Sequence, residues 1–323
     1  MTRRRLFALG VLAILSSAGS AAFAQAPERV HRLGMLSPSS GTIEKMRAGV
    51  LPELARLGFV ERRNLIFEAR FGTTEDLPAL ALELASLHPD VLMATGSSAI
   101  RAVRQTTNTI PIVGSFIGED PIKADFATSL AHPGGRITGI VMLAPELERK
   151  RLQLLHDAVP GVRRVAALTV NALGTSLAAA KEAADRLGIE LLPVSAETPD
   201  DYPAAFAAMR RAEADGLQIL SWPQFFTDAA SLAALALDAR LPTVCEWAEM
   251  ARSGCLLGYG PDFTELRDKL AGYVARIFRG TAPGEIPIEE PTHYAFAINL
   301  KTANALGLTI PPYILGRADE VIE

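Results

Sequence analysis

Short apolar runs alternate along the chain with longer stretches whose apolar residues recur at helical spacing, the pattern of a parallel α/β protein. RLGML (32–36), NLIFEARF (64–71), DVLMAT (90–95), IPIVGSF (110–116) and ITGIVML (137–143) read as strands. Between the first two, IEKMRAGVLPELARLG sets Met46, Val50, Leu54 and Leu57 on one face and ends at Gly58, a helix C-cap. Pro52 inside that segment predicts a kink or a break. LPALALELASL carries its own apolar stripe and stops before Pro89.

The same order then recurs. VRRVAALTV (162–170), IELLPVSA (189–196), GLQILSW (216–222), PTVCEW (242–247) and CLLGYG (255–260) read as strands, separated by TSLAAAKEAADRLG, YPAAFAAMRRAEA and FFTDAASLAALALDARL. In both halves a first helix ends in Leu-Gly before the second strand. The predicted fold is α/β, with two doubly wound parallel-sheet lobes joined by a hinge. The chain leaves the first lobe near Ile140–Pro145, the amphipathic FTELRDKLAGYVARIFRG is expected to return to it, and the last segment crosses again. The expected lobes are 29–141 with 262–286, and 142–261 with 287–323.

Residues 1–24 differ in kind. MTRRRLF is a basic n-region, ALGVLAILSSAG an apolar h-region, and Ala22-Phe23-Ala24 an A-x-A cleavage site. This predicts a signal peptide cleaved after Ala24, with Sec and twin-arginine export both open, and a mature protein in the periplasm. With 323 residues, 49% hydrophobic and 21% charged, the chain can bury a substantial core, and its net charge of −4 offers no general attraction to nucleic acid or anionic lipid. Cys245 and Cys255 are placed by this strand reading at opposite edges of the second sheet, too far apart for a bridge, so two free buried thiols are expected.

Open α/β sheets bind ligands beyond the carboxyl ends of their strands. That rule selects Ser37, Pro38, Ser39 and Ser40, then Thr95, Gly96, Ser97 and Ser98, then Phe116 through Glu119 and Asp120 in the first lobe. In the second it selects Asn171, Ser221, Trp222, Glu246, Trp247 and Tyr259. Thr95–Ser98 runs straight into a helix, AIRAVRQT, whose first N–H groups and hydroxyls suit a carboxylate; capping by Ser97 or Ser98 is the structural alternative. Both tryptophans follow strands of the second half, Trp222 and Trp247, and offer aromatic walls. Asp120-Pro121 reads as an N-cap and N1 proline opening a helix over IKADFATSL, which leaves Glu119 at the strand tip as a candidate for a ligand ammonium, with Glu246 opposite.

Reaction chemistry finds little support. None of the five histidines falls at a cleft-facing strand end, no G-x-S-x-G elbow or phosphate loop is present, and no His/Cys cluster has metal-ligand spacing. No catalytic residue, metal or cofactor is expected.

LARLGFVERRNLIFEARFG, GEDPIKADFATSLAHPGGRITGI, ELERKRLQLLHDAVPGVRRVAAL, LPTVCEWAEMARSGCLLGYGPD and INLKTANALGLTIPP together resemble ABC-transporter substrate-binding proteins of the tryptophan/aromatic-amino-acid-binding type, over nearly all of the mature chain. The resemblance implies a type I periplasmic-binding-protein fold, a ligand held between the lobes, and delivery to a membrane permease with its ATPase. Two departures bear on the ligand: Glu119 stands where many members carry a small residue, and NALGTS replaces an Asn/Pro-rich loop. The expected function is capture of a small solute, an amino acid or similar carboxylate, by a monomer. A ligand sensor working with a sensor kinase and an exported enzyme are the competing classes.

Overall fold

The computed structural model describes residues 29–323 except Leu143 and 171–173. The signal-peptide reading and Asn171 therefore lie outside the described residues.

The first half supplies β1 (His31–Ser37), α1 (Ser40–Arg56), β2 (Leu65–Phe71), α2 (Leu77–Ser86), β3 (Val91–Thr95), α3 (Gly96–Thr106), β4 (Ile112–Ile117) and β5 (Ile137–Val141). Its five strands form a parallel sheet in the order β2-β1-β3-β4-β5. Strands β1 and β3 are almost wholly buried, as a sheet covered on both faces requires. Helix α1 runs unbroken through Pro52 and ends where Gly58, at φ +100°, lets Phe59 N–H bond back to Leu54 O.

The chain then crosses into α4 (Ala144–Ala158), β6 (Arg164–Thr169), α5 (Thr175–Leu187), β7 (Glu190–Ser195), α6 (Tyr202–Arg211), β8 (Gly216–Ile219), α7 (Pro223–Thr227), α8 (Ala229–Asp238), β9 (Thr243–Cys245), α9 (Ala248–Arg252) and β10 (Leu257–Pro261). After these come α10 (Phe263–Phe278), β11 (Tyr294–Asn299), α11 (Leu300–Leu306), α12 (Pro312–Leu315) and β12 (Glu320–Ile322). The second sheet has the order β12-β11-β10-β9-β8-β6-β7. Its strands β6 to β10 repeat the winding of the first sheet in parallel pairing, and β11 extends it antiparallel to β10. The two parallel-sheet lobes are thus variations on one winding.

Helix α10 packs on α1 and on β4 and β5 of the first sheet. The strip that follows runs along β5, where Thr138 Oγ1 donates to Ile286 O at 2.8 Å and Val141 N–H to Glu289 O at 3.0 Å. Only then does the chain return to the second sheet as β11.

Two local expectations are overturned. No helix opens at Pro121. Residues 121–125 form a run of turns, in which Ala124 N–H bonds to Asp120 O and Asp125, at φ +58°, ends the helical course. Asp120 still caps that turn, accepting from the N–H groups of Ile122 at 2.9 Å and Lys123 at 3.3 Å. These bonds hold its carboxyl below the usual aspartate range.

Cys245 and Cys255 are joined by a disulfide, not free. Strand β9 is only three residues long, and β10 starts at Leu257, opposite Val244. The end of one strand and the approach to the next therefore lie together, with the Cα atoms 6.6 Å apart.

Candidate functional site

The carboxyl ends of the two sheets face each other around a cavity of about 450 Å³. On the first-lobe side, α3 begins directly at the end of β3. No side chain caps its first turn, so its leading N–H groups are not taken by a serine as the capping alternative required. Thr95 Oγ1 is engaged sideways with Ser115 Oγ at 3.0 Å, while Ser97 Oγ is buried and has no hydrogen-bond partner. One turn further, Arg101 reaches Glu119 across the wall, Nη2 to Oε2 2.5 Å. Glu119 reaches the cavity already paired with a cation that the strand-end rule did not select.

Phe116 is the unusual residue of this wall. Its φ is +60°, in the left-handed region, and the register of β4 against β5 shifts between Gly114 and Ile117. A bulge of this kind re-aims a side chain. The Phe116 ring meets Trp247 of the other lobe edge-on, centroids 5.4 Å apart, and Phe226 and Phe263 pack against Trp247 at 5.6 and 5.7 Å. Trp222, the residue before α7, borders both this cavity and a shallower depression beside it.

On the second-lobe side, Ser221 and Glu246 reach the cavity from strand ends. Glu246 is 7% exposed, and burial pushes its carboxyl up to about 7, with Arg151 countering and Glu148 adding to the rise. The Glu246–Trp247 turn lies flat on β10. A Cβ at Gly260 would stand 2.1 Å from Glu246 O, and one at Gly258 2.2 Å from Trp247 O. No side chain fits there, which explains the two glycines of GYG.

Beneath this wall lies a fully buried ion pair from α4, Glu148 and Arg151, 3.0 Å apart. Arg151 donates to Tyr259 O at 2.8 Å, Ser221 Oγ at 2.9 Å and Glu246 O at 3.1 Å, tying the ends of three strands together. Glu148 accepts from Ser221 N–H and Oγ, both at 2.8 Å, and from Gln218 Nε2 at 2.8 Å.

Of the residues read from the sequence, Thr95, Gly96, Ser97, Ser98, Phe116, Glu119, Ser221, Trp222, Glu246 and Trp247 come together around the cavity. Five do not. Ser37 is fully buried and its Oγ accepts from Ser39 N–H. Ser39 caps α1 and joins Thr227 Oγ1 of the other lobe at 2.9 Å, and Ser40 faces the shallow depression. Asp120 is occupied by its turn. Tyr259 points away, stacked on Tyr294 at 6.1 Å, because alternation along β10 gives the cleft side to Gly258 and Gly260.

Arg101, Glu148 and Arg151 are the contributors that sequence reasoning missed. Ser39 to Thr227, Thr42 Oγ1 to Pro223 O (3.2 Å) and Lys45 Nζ to Phe226 O (3.0 Å) bind α1 to α7 across the cleft. Among the described residues no cluster of His, Cys, Asp and Glu is arranged to hold a metal, and no helix is long and apolar enough to cross a membrane.

The sequence model of a family described as ABC transporter substrate binding protein matches residues 38–322. A tyrosine-binding protein of Clostridioides difficile (strain R20291) is 21% identical over 278 residues, which cover 83% of this chain and 78% of that protein. Among solved structures, a conserved domain protein from Vibrio cholerae aligns with a TM-score of 0.80 at 24% identity, over 90% of this chain and 99% of its own. An ABC domain from Streptococcus pneumoniae in complex with L-Trp aligns with a TM-score of 0.78 at 19% identity, over 91% of this chain and all (100%) of its own.

Proposed function

The chain belongs to the ABC transporter substrate-binding protein family, and on that premise we propose that it captures an amino acid with an aromatic or branched side chain between its lobes for import. The observation that carries this reading is the split polarity of the cavity. The first lobe offers donors, the unpartnered Ser97 hydroxyl and the uncapped start of α3. The second offers an acceptor carboxylate, Glu246, and aromatic rings lie between. A zwitterion satisfies both ends: its carboxylate at Ser97 and the α3 terminus, its ammonium at Glu246, its side chain against Trp222, Phe116 and Trp247. The L-Trp and tyrosine named with two similar proteins agree with that chemistry.

Capture proceeds by closure, a shift toward the state in which both lobes touch the ligand, with no covalent step. The expected lobes, 29–141 with 262–286 and 142–261 with 287–323, move about three crossings, with the first lobe extended to residue 289 because Ile288 and Glu289 bond to Leu130 and Val141. The protein is exported, its signal peptide is removed after Ala24, and it works in the periplasm as a monomer that delivers its solute to a membrane permease and ATPase. Thermal-shift screening against the standard amino acids and aromatic acids tests the reading, because a ligand that binds only the native state raises the melting temperature. A shift with aromatic or branched amino acids is expected; no shift with any amino acid removes the proposal.

A further inference from the structure

The Ser221 hydroxyl has one proton and two lone pairs. Arg151 Nη1 donates to one lone pair at 2.9 Å, and the proton goes to Glu148 Oε1 at 2.8 Å. With its proton held by Glu148, the hydroxyl has none to offer a ligand. What remains for the cavity is a lone pair. The Ser221 N–H is likewise taken by Glu148. A serine at a strand end would ordinarily rotate to donate or accept as its ligand requires, and here the buried pair removes that freedom.

We propose that Glu148 and Arg151 act as positioning residues that make Ser221 an obligate acceptor, so that this wall selects a ligand group able to donate, an ammonium over a second carboxylate or an unsubstituted carbon. The inference rests on the amino-acid reading above and deepens it: discrimination for the α-ammonium comes from Ser221 together with Glu246. Both members of the pair are fully buried, and neither lines the cavity. Their influence on the ligand passes through Ser221 and the strand ends they hold.

The test compares L-tryptophan, L-tyrosine and L-leucine, each with its deaminated acid, by calorimetric titration of the full mature protein. Wild type is expected to prefer at least one amino acid over its deaminated partner by about tenfold or more, since a polar wall left unpaired rejects the analogue strongly. Ser221→Ala is expected to shrink that margin about fivefold, the worth of one ordinary hydrogen bond. The double variant Glu148→Met/Arg151→Met removes both buried charges at similar volume, an exchange that folds tolerate, and lets the hydroxyl turn freely. Its amino-acid affinity should fall while that of the deaminated acid holds.

A purely structural role would move both affinities together in the double variant, and that result overturns the inference. So does an unchanged margin in Ser221→Ala, which keeps the test decisive if the double variant does not fold. Equal binding of acid and amino acid by wild type overturns the inference but leaves solute capture standing. Binding of none of the six compounds overturns the amino-acid reading and this inference with it.

Discussion

Arg101 and Glu119 meet at 2.5 Å on the first-lobe wall of the cavity, with the guanidinium half exposed and the carboxylate one quarter exposed. The pair presents little net charge to a ligand. Glu119→Gln should therefore weaken binding of an amino acid by less than about threefold, on the scale of an exposed ion pair. Calorimetric titration checks this, and a loss beyond tenfold would make Glu119 a direct ligand contact. Asp120→Asn should leave affinity unchanged.

Trp222 stands where the cavity and the shallow depression adjoin, with its ring against the core formed by both lobes. Trp222→Ala should weaken ligand binding by about tenfold or more, the loss of a large aromatic wall. The fold should persist, because the side chain is only partly buried. Titration alongside a thermal melt separates the two effects.

Glu246 links binding to pH. Its carboxyl sits at about 7 in the folded protein against an ordinary 4.5. Between those values the folded state keeps a proton that the unfolded chain has lost. The carboxyl therefore lowers stability as pH rises from about 4.5 to about 7, and the deficit is constant above that. Glu246→Gln should melt higher than wild type at pH 8, by the equivalent of roughly 3 kcal/mol at most, and converge with it near pH 4. Affinity runs the other way: an ammonium needs the ionised carboxylate, so wild-type binding should weaken as pH falls below about 7, and the Gln variant should bind weakly throughout. Melting curves and titrations across pH 4–8 read both signs.

How much of this was legible depends on which interactions made each feature. The strands and helices follow from local periodicity, and the strand-end rule selects Ser97, Phe116, Ser221, Trp222, Glu246 and Trp247, all of which line the cavity. Glu148 and Arg151 were hidden because charges three residues apart in ELERKR look like any solvated helix face, and only the strand ends packed above them reveal their burial. Arg101 was hidden the same way, one turn after Ser97. Tyr259 lies off the cavity, and the sequence carries a signal for that. In Gly-Tyr-Gly the residues alternate faces, and two glycines under one turn claim the cleft side. The disulfide depended on strand length, since a three-residue β9 brings Cys245 beside Cys255.

The Cys245–Cys255 bridge closes a segment that contains both Glu246 and Trp247, with its two cysteines 10 residues apart. A loop of that size lowers unfolded-state entropy by the equivalent of about 2–3 kcal/mol. Reduction, or the Cys245→Ala/Cys255→Ala variant, should lower the melting temperature by several degrees and weaken ligand binding. Alkylation of the unreduced, denatured protein should find no free thiol; two labelled cysteines would contradict the bridge.

Gly41 lies against the opposite lobe, where a Cβ would stand 2.1 Å from Thr227 Cγ2, and Thr227 is held by Ser39 and by Pro223 O. Gly41→Val should hinder the closed state and weaken ligand affinity severalfold, while the melting temperature without ligand changes little. Small-angle scattering with saturating ligand should show a larger radius of gyration than for wild type.

Phe116 keeps its ring between the lobes at the expense of a backbone conformation natural to glycine, a cost of about 1 kcal/mol or more. Mutation to glycine there would relieve the main chain while enlarging the chamber. Most large-to-small changes in a cavity wall enlarge the room and weaken the fold together, but at this position the two effects oppose. A lineage descending from this protein could therefore come to accept a bulkier solute through one codon, with the relieved main chain offsetting part of the packing lost against Trp247 and Phe263.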